Sequence, residues 1–274
     1  MCEGRQMSDE RRYFRNGRAT SPDALHVSAF GPLALWGEGS FDTFRVSSGR
    51  ILFVQQHQDR LLNAARSLWG VREDIEDGLH AAWEFLEEQA KDYAHGRGRV
   101  LVAPQDALRK KFDVFAELLP FTPMSSAQYQ HGVRVGFSEL THPGYGRWGK
   151  STSALWSRMA AEEARNRGLD EVILCRGEIV VESAWSALMW REEDVWRTPA
   201  ASLAPLPSTT LAALRQSGLE VEEVVSTRER LSYADAIVLL SAVRLAIGVE
   251  RLEDRVFDAP DDAAAPLRDI LLRA

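Results

Sequence analysis

Lys150 and Glu182 are the two side chains whose types and positions point most directly to chemistry. Lys150 ends a glycine-rich loop, HPGYGRWGK, and Glu182 lies in the apolar run IVVESAW. A neutral lysine amine attacks a carbonyl to form a Schiff base when the site is partly dehydrated. A carboxylate within an apolar run costs free energy unless it is paired. The alternatives from sequence alone are a solvated lysine and a solvent-facing glutamate on an edge strand.

A loop amine and a carboxylate on a nearby strand are the two groups that a pyridoxal phosphate (PLP) enzyme needs. The amine holds the cofactor covalently, and the carboxylate keeps the pyridine nitrogen protonated. The three glycines of the loop allow unusual backbone angles and close approach. Two aromatic residues of the same loop, Tyr145 and Trp148, would help to exclude water. The sequence therefore predicts Lys150 as the catalytic lysine and Glu182 as a cofactor ligand.

Two further elements suit a phosphate group. Ser208, Thr209 and Thr210 precede a predicted short helix, where free N–H groups, hydroxyls and the helix dipole would bind an anion. An ordinary hydroxyl N-cap is the alternative for this segment. Arg60, early in a predicted helix, would bind phosphate through paired N–H groups. Its alternative is a surface arginine paired with Asp59 or another carboxylate.

The composition narrows the class of protein. The chain has 274 residues, a formal charge of −7 and 45% hydrophobic residues, an ordinary globular balance without a basic block. We therefore expect no nucleic-acid partner. The two cysteines have a spacing that suits no zinc site, and we predict no metal. No apolar run approaches the roughly 20 residues of a membrane span, and the polar N-terminus is unlike a signal peptide. We expect no membrane partner and a cytoplasmic location.

The order of the predicted elements indicates an α+β fold. Clustered strands joined by antiparallel turns, with a few helices, favour this class over a doubly wound sheet. Two amphipathic helices are predicted, one from near Gln58 to Gly70 and one over roughly 73–94. A third helix is predicted over 151–167, and the run IVVESAWSALMWR is predicted as one strand. Pro- and Ser-rich residues after position 120 mark a boundary, which divides the chain into a disordered tail (1–12), an N-terminal domain (13–123) and a C-terminal domain (124–274).

Five separated segments resemble the class IV aminotransferase family, the fold-type IV PLP enzymes, over roughly residues 13–250. GEGSFDTFRV is similar to the family's Gly-x-Gly-x-Phe-Glu-Thr-x-Arg strand, and HQDRL to its His-Leu-x-Arg-Leu segment. AAEEARNRGLDEVILCRGEIVVESAWSALMW resembles its Glu-Ala-x-x-x-Gly-x-Asp-Glu-Ala segment and the Val-x-Glu that follows. TPAASLAPLPSTT is similar to its Thr-Pro…Leu-Pro-Gly-Ile-Thr segment. The fifth match is Lys150, at the position of the Schiff-base lysine.

The resemblance implies roles for residues of this chain. Arg60 falls on the phosphate arginine, Glu182 on the partner of the pyridine nitrogen, and Thr209 and Thr210 on the phosphate-binding Ile-Thr pair. Several positions depart from the family pattern, and these departures predict a weaker phosphate site. A second phosphate threonine of some members falls at Ala242, where neighbouring Ser241 is the expected substitute. The other departures are Ser208, Leu211, Ala187 and Asp42, in place of Gly, Arg, Asn and Glu.

The resemblance leaves three functions open. We favour a lyase similar to 4-amino-4-deoxychorismate lyase, which releases pyruvate and gives 4-aminobenzoate for folate biosynthesis. FDTFRV resembles that branch, Leu155 stands where branched-chain enzymes carry Tyr, and the chain is short. The first alternative is an aminotransferase that acts on branched-chain or D-amino acids with a 2-oxo acid acceptor. The second is a degenerate homologue that acts as a binding protein.

The family likeness also implies an architecture and partners. We expect a small N-terminal α/β domain, a larger C-terminal domain with a β-barrel-like sheet, PLP in the cleft between them, and a homodimer. The partner is a small amino substrate. Four arginines are candidates to bind the carboxylates of this substrate: Arg45, Arg97, Arg99 and Arg147. The alternative for each is an ordinary surface or structural role.

Overall fold

The computed structural model describes residues 10–144 and 149–274. Their contacts divide them into two units, one of residues 10–123 with 149–153 and one of residues 124–144 with 154–274. Lys150 therefore groups with the first unit, whereas the sequence had placed it in the C-terminal domain. Among the described residues, no helix combines the length and apolar character needed to cross a membrane.

The first unit contains a six-stranded antiparallel sheet. The strands are β1 (Arg12–Arg15), β2 (Arg18–Thr20), β3 (Ser40–Ser47), β4 (Arg50–Ile51), β5 (His95–Pro104) and β6 (Phe112–Pro120), in the order β2-β1-β6-β5-β3-β4. The helices are α1 (Pro32–Trp36), α2 (Val54–Trp69) and α3 (Glu73–Ala90). The predicted apolar stripe of α3 is buried against one face of the sheet, so this amphipathic prediction is confirmed. That face carries the even-numbered residues of β3, and the opposite face carries its odd-numbered residues.

The second unit is built on a nine-stranded mixed sheet that curls into a half-barrel. The strands are β7 (Val133–Thr141), β8 (Glu171–Arg176), β9 (Ile179–Ser183), β10 (Ala187–Glu192), β11 (Val195–Pro199), β12 (Glu222–Val224), β13 (Ala236–Ser241), β14 (Leu245–Leu252) and β15 (Arg255–Val256). Their order is β12-β11-β10-β13-β14-β7-β8-β9, with β15 on β14. The helices are α4 (Ser126–His131), α5 (Leu155–Asn166), α6 (Thr209–Gln216), α7 (Arg228–Leu231) and α8 (Pro260–Arg273). The predicted α+β class is confirmed.

The predicted single strand over IVVESAWSALMWR is wrong, because a bend divides it into β9 and β10. The carboxylate of Glu171 on β8 is buried and accepts hydrogen bonds from the Ser183 hydroxyl and the Trp185 N–H. It also accepts a bond from the Ser186 hydroxyl. These bonds hold the bend, and the two strands then pair with different neighbours, β8 and β13.

Two helix starts and the C-terminal elements also differ from the prediction. Helix α2 starts at Val54, so the predicted strand RILFV retains only Arg50 and Ile51. Helix α5 starts at Leu155, because residues 150–152 bond to the start of β3 instead of forming a first helical turn. The predicted elements end at Ser241, yet β14 and α8 follow, with α8 packed on β14.

Candidate active site

The backbone of Lys150 is bonded to the start of β3. Its carbonyl oxygen accepts hydrogen bonds from Phe41 N–H (2.9 Å) and the Ser40 hydroxyl (3.1 Å). Its Nζ lies 5.4 Å from the centroid of the Phe41 ring, within the range of a cation–π contact. The lysine is therefore held at a defined position on the sheet, by its backbone and by an aromatic ring.

The two glycines of GEGSF allow this close approach. A Cβ on Gly39 would lie 2.7 Å from Leu33 Cδ1 and 3.0 Å from Thr152 Oγ1. A Cβ on Gly37 would lie 2.7 Å from the Ser153 hydroxyl oxygen, and Gly37 has a φ of +61°. Thr152 N–H donates to the Gly39 carbonyl at 2.9 Å. The Gly-x-Gly motif thus leaves the space in which the segment after Lys150 binds.

Three of the four candidate arginines lie on the same sheet face as Phe41. The guanidinium carbon of Arg99 on β5 is 5.1 Å from the Phe41 ring centroid, and its Nε donates to the Thr43 hydroxyl at 3.3 Å. Arg97 faces Arg45 across the β3–β5 ladder, and the Arg45 guanidinium carbon lies 5.7 Å from the Phe121 ring centroid. Arg99 and Lys150 therefore contact one ring. The fourth candidate, Arg147, lies outside the described residues.

Arg60 pairs with a buried carboxylate on the opposite face of this sheet. Its Nε and Nη2 donate to the two oxygens of Asp42 at 2.8 and 2.5 Å, in a bidentate pair. Asp42 is fully buried and also lies 3.0 Å from Nδ1 of the buried His57, one turn earlier on α2. The paired N–H groups assigned to phosphate in the sequence analysis thus bind Asp42. Asp42, which stands where the family has a glutamate, therefore orients the Arg60 side chain.

The charges of this cluster follow from its burial. Burial acts to raise the pKa of Asp42, but the positive charge of Arg60 and the hydrogen bonds of both neighbours lower it well below its usual range. Burial lowers the pKa of His57, and the cations Arg60 and Lys150 add to that effect while Asp42 opposes it. We infer that His57 is neutral near pH 7 and that its Nδ1–H donates to the Asp42 anion.

Glu182 lies on edge strand β9 of the second unit, yet only 6% of it is exposed. His142 is fully buried at the side chain, and its Nε2 lies 2.6 Å from Glu182 Oε1. The backbone N–H of Leu206 donates to Oε2 at 3.0 Å. The solvent-facing alternative for Glu182 is therefore wrong: it is a buried carboxylate whose two oxygens each have a defined donor.

The sheet register explains how His142 reaches Glu182. The N–H of His142 donates to the Cys175 carbonyl, so the end of β7 continues to pair with β8 at this point. On its other side β8 pairs with β9, with Leu174 opposite Glu182. Histidine and glutamate thus stand two strands apart, roughly 10 Å between backbones, and two long side chains span that gap above β8.

The predicted phosphate segment forms the start of helix α6. The Ser208 hydroxyl caps the helix by accepting the N–H of Leu211 at 3.1 Å, and lies 2.9 Å from the Thr210 hydroxyl. Thr209 and Thr210 are buried in the first turn. Ser241 ends β13, on which α6 packs, and its hydroxyl accepts the N–H of Arg244 at 3.2 Å. The structure places the three α6 residues together and holds Ser241 in the turn before β14.

Sequence analysis missed His142 and Leu206 as the partners of Glu182, and Phe41 as the ring beside Lys150. His142 opens the glycine-rich loop in the printed sequence, so its position next to that loop was a signal for it. Leu206 contributes only its backbone N–H, for which no side-chain pattern exists. Phe41 belongs to the GEGSF motif, but its contact with Lys150 depends on how residues 149–153 bind the first unit.

The donors present in the structure fit PLP. Such a cofactor needs an amine, a carboxylate and phosphate donors, and the described residues include the Lys150 amine, the buried Glu182 carboxylate and the hydroxyls and N–H groups of the first turn of α6. Within residues 10–144 and 149–274, no cluster of three or more His, Cys, Asp or Glu side chains is arranged to hold a metal ion.

Comparison with known proteins agrees with this chemistry. The family model described as Amino-transferase class IV matches residues 39–252. The chain is 23% identical over 260 residues, 90% of each chain, to the "Putative branched-chain-amino-acid aminotransferase" of Methanocaldococcus jannaschii. It superposes with a TM-score of 0.81 on the PLP-bound form of a hypothetical aminotransferase from Mycobacterium tuberculosis, at 20% identity over 95% of this chain and 97% of the other.

A fold IV-transaminase of Curtobacterium pusillum gives a similar result. Its TM-score is 0.81 at 21% identity, and the match covers 96% of this chain and 98% of the other. At these identities the superpositions show the fold, while the family model covers most of the chain. The predicted resemblance is therefore confirmed: the chain belongs to the class IV aminotransferase family and is a PLP-dependent enzyme with the fold-type IV architecture.

Proposed function

We propose that the protein is an aminotransferase that moves the amino group of an α-amino acid to a 2-oxo acid, with Lys150 as the catalytic residue. One observation carries the proposal: the Lys150 amine and the Arg99 guanidinium lie against the same Phe41 ring. An amino acid offers an amine and a carboxylate to one enzyme site. The Lys150 amine can form and exchange an imine, and the Arg99 guanidinium beside it can bind a carboxylate. This pair of groups matches an amino acid substrate.

Lys150 is proposed to hold the cofactor and then to move a proton. When bound, PLP supplies the electron sink for bond cleavage next to the substrate nitrogen. The Lys150 amine would be the base that takes the proton from the substrate α-carbon. The hydrogen bonds from the Phe41 N–H and the Ser40 hydroxyl to the Lys150 carbonyl would hold its backbone in place while the amine acts.

Glu182 is proposed to pair with the protonated pyridine nitrogen. Its two oxygens are oriented by His142 and Leu206, so the carboxylate does not have to reorganise when the ring binds. Among residues 10–144 and 149–274, its hydrogen-bond donors are an imidazole and a backbone N–H, and a buried anion favours a positively charged neighbour. Those contacts support this role for Glu182.

The phosphate group is proposed to bind Ser208, Thr209 and Thr210, with contributions from Arg60 and Ser241. Support comes from the hydroxyls and N–H groups at the start of α6 and from the fixed orientation of Arg60. Because Asp42 binds two N–H groups of Arg60, we propose that Arg60 acts on phosphate mainly through its charge. The departures at Ser208 and Leu211 favour a weaker grip than the family pattern supplies.

The substrate carboxylate is proposed to bind Arg99. Arg97 lies on the same strand and the same face, but pairs across the ladder with Arg45 rather than with Thr43 beside Phe41. Arg99→Gln is expected to raise KM for the amino acid at least tenfold, the size of one lost charge-assisted contact. Arg97→Gln is the matched control, with KM within threefold of wild type. Equal effects of the two variants would reject Arg99 as the carboxylate ligand.

The comparisons favour the aminotransferase over the lyase preferred from sequence alone. The Methanocaldococcus jannaschii relative is named for branched-chain transamination, which supports that alternative as a proposal. The decisive assay supplies purified protein and PLP with branched-chain or D-amino acids and 2-oxoglutarate. Formation of glutamate is expected. Release of pyruvate and 4-aminobenzoate from 4-amino-4-deoxychorismate, without glutamate formation, would restore the lyase.

Covalent attachment of the cofactor tests Lys150 directly. The purified protein is expected to be yellow with PLP, and borohydride should leave the reduced cofactor on the peptide that contains Lys150. Lys150→Ala should lose that adduct and at least a hundredfold of activity. The exposed Lys110→Ala is the control and should keep both. A colourless protein, or biological activity that survives Lys150→Ala, would support the degenerate binding protein.

A homodimer and a cytoplasmic location stay proposals. The dimer is supported by the family likeness alone. Sedimentation of the full chain would test the dimer, and imaging of a C-terminally tagged protein would test the location.

A further inference from the structure

We infer that His142 is a positioning residue for Glu182. As a neutral imidazole, His142 orients the Glu182 carboxylate by a hydrogen bond and does not neutralise its negative charge. The inference deepens the proposed function and rests on it, because Glu182 is the proposed partner of the pyridine nitrogen. Its evidence is the hydrogen-bond pattern around one buried ring.

The first step is the protonation pattern of the ring. The backbone N–H of Gly144 lies 3.1 Å from His142 Nδ1, and an N–H can only donate there. Nδ1 is therefore the acceptor nitrogen, and the ring proton sits on Nε2. Nε2 faces Glu182 Oε1 at 2.6 Å, so the imidazole donates this proton to the carboxylate.

The second step is the charge of the ring. The guanidinium of Arg176 places Nη2 3.5 Å from Nδ1, on the side where a second ring proton would have to go. The same Nη2 donates to the Leu203 carbonyl at 2.8 Å, so it stays in place. The carboxylate of Glu182 acts in the opposite direction and favours a charged ring. Within the ranges that the structure describes, Nδ1 faces an N–H and a cation, so a second ring proton there would have no acceptor, and this geometry favours the neutral ring.

The third step is the effect on Glu182. Among the described residues, its hydrogen bonds come from a neutral imidazole and the backbone N–H of Leu206. Neutral donors fix the direction of both carboxylate oxygens without cancelling the charge. An arginine or an imidazolium at position 142 would form an ion pair and reduce the basicity available to a ring N–H. His142 thus orients the Glu182 carboxylate and leaves it a full negative charge with which to accept a hydrogen bond from a ring N–H.

The backbone conformation of Gly144 supports this hydrogen-bond pattern around His142. Gly144 has a φ of +80°, and a Cβ there would lie 2.7 Å from the same Arg176 nitrogen. Only glycine brings its N–H to His142 Nδ1 while leaving room for the guanidinium. Trp156 meets the His142 ring edge-on, with centroids 5.6 Å apart, and covers the buried side chain.

The experiment begins with the ring itself, without cofactor. Nitrogen-15 NMR of the cofactor-free protein at pH 7 is expected to show His142 neutral with its proton on Nε2. An imidazolium, or a proton on Nδ1, would overturn the inference. This measurement needs no PLP, so its result is independent of the proposed function.

Variants then test the effect on the cofactor. His142→Gln keeps a neutral N–H donor and should retain PLP affinity and kcat within about fivefold, whereas His142→Leu removes the donor. We expect His142→Leu to lower kcat and PLP affinity by about tenfold to a hundredfold, the range for residues that orient a functional side chain. KM for the amino acid should change less than threefold in both. Exposed His131→Gln is the matched control.

The outcomes separate three cases. Equal losses in His142→Gln and His142→Leu, or none in either, would overturn the inference. If wild-type protein binds no PLP, the proposed function fails while the NMR result still decides the state of His142. If His142→Leu does not fold, the spectra of His142→Gln decide: its PLP absorption band should titrate at the same pH as that of the wild type, and a shifted titration would count against the inference.

Discussion

Two carboxylate–histidine pairs, one in each unit, use similar groups for different ends. Asp42 in the first unit and Glu182 in the second are both buried and both accept from a buried histidine, at 3.0 and 2.6 Å. Asp42 also receives a bidentate arginine, whereas the second donor to Glu182 is a backbone N–H. In the described part of the chain, the first anion therefore has a cationic partner, whereas the donors to the second are an imidazole and a backbone N–H.

The difference shows that the partners of a buried carboxylate decide its role. The bidentate pair with Arg60 stabilises the Asp42 anion and occupies both of its oxygens. Such an arrangement suits a carboxylate that holds Arg60 in place. Two neutral donors orient Glu182 but leave it able to stabilise a further positive group. The comparison predicts large losses of activity at Glu182 and large losses of stability at Asp42.

The largest expected effect is on activity, from Glu182→Gln. The amide cannot supply a negative charge to a protonated ring nitrogen, so kcat should fall at least a hundredfold. The free energy of unfolding should fall by only about 1–3 kcal/mol, because one buried donor loses its acceptor. Steady-state kinetics and urea unfolding measure the two quantities. The control is Glu178→Gln, an exposed position in the turn of the same hairpin, which should change neither kcat nor the free energy of unfolding. If Glu182→Gln kept kcat within tenfold of wild type, the proposed difference between Glu182 and Asp42 would be wrong.

Asp42→Asn should show the reverse pattern, with the main loss in stability. Removing the anion takes the Asp42 charge away from the largely buried guanidinium of Arg60, and the loss of one partner of such a pair typically costs about 3–5 kcal/mol. Urea unfolding of the cofactor-free protein would measure it. Asp59→Asn, an exposed carboxylate on the same helix, should leave stability unchanged. A loss below about 1 kcal/mol for Asp42→Asn would mean that Arg60 finds another partner at little cost.

The pH dependence of stability sharpens the comparison further. Because the folded-state pKa of His57 is lowered, the unfolded chain binds its proton first as the pH falls below about 6.5. Stability should therefore fall with decreasing pH in this range, with a slope that approaches about 1.4 kcal/mol per pH unit. The lowered pKa of Asp42 adds a second loss only below about pH 4. His57→Gln should flatten the dependence of the free energy of unfolding on pH between roughly pH 5 and 6.5. An unchanged slope in this variant would show that another group titrates in this range.

The smallest expected effect comes from the ring that covers His142. Trp156→Leu removes the edge-on contact with the imidazole but none of the hydrogen bonds to Glu182. The loss of stability should be about 0.5–1.5 kcal/mol beyond the lost apolar area, and kcat should change less than threefold. A larger loss of kcat would show that packing, and not the hydrogen bond alone, orients His142.

Some of the fold was predictable because the pattern is local. The apolar stripe of α3 repeats at helical spacing, and alternation along β3 separates the Asp42 face from the Phe41 face. Errors arose where distant groups intervene. Glu171 bends IVVESAWSALMWR into two strands, and bonds from Phe41 and Thr152 delay the start of α5.

The sequence by itself determined the family and the cofactor, because five motifs in order carry that information. Only the tertiary structure decided the partners of each charged group. Arg60 bonds Asp42 because β3 and α2 pack together, and His142 reaches Glu182 because β8 lies between β7 and β9. Such contacts depend on sheet register and packing between residues far apart in the chain, and neither spacing nor composition encodes them directly.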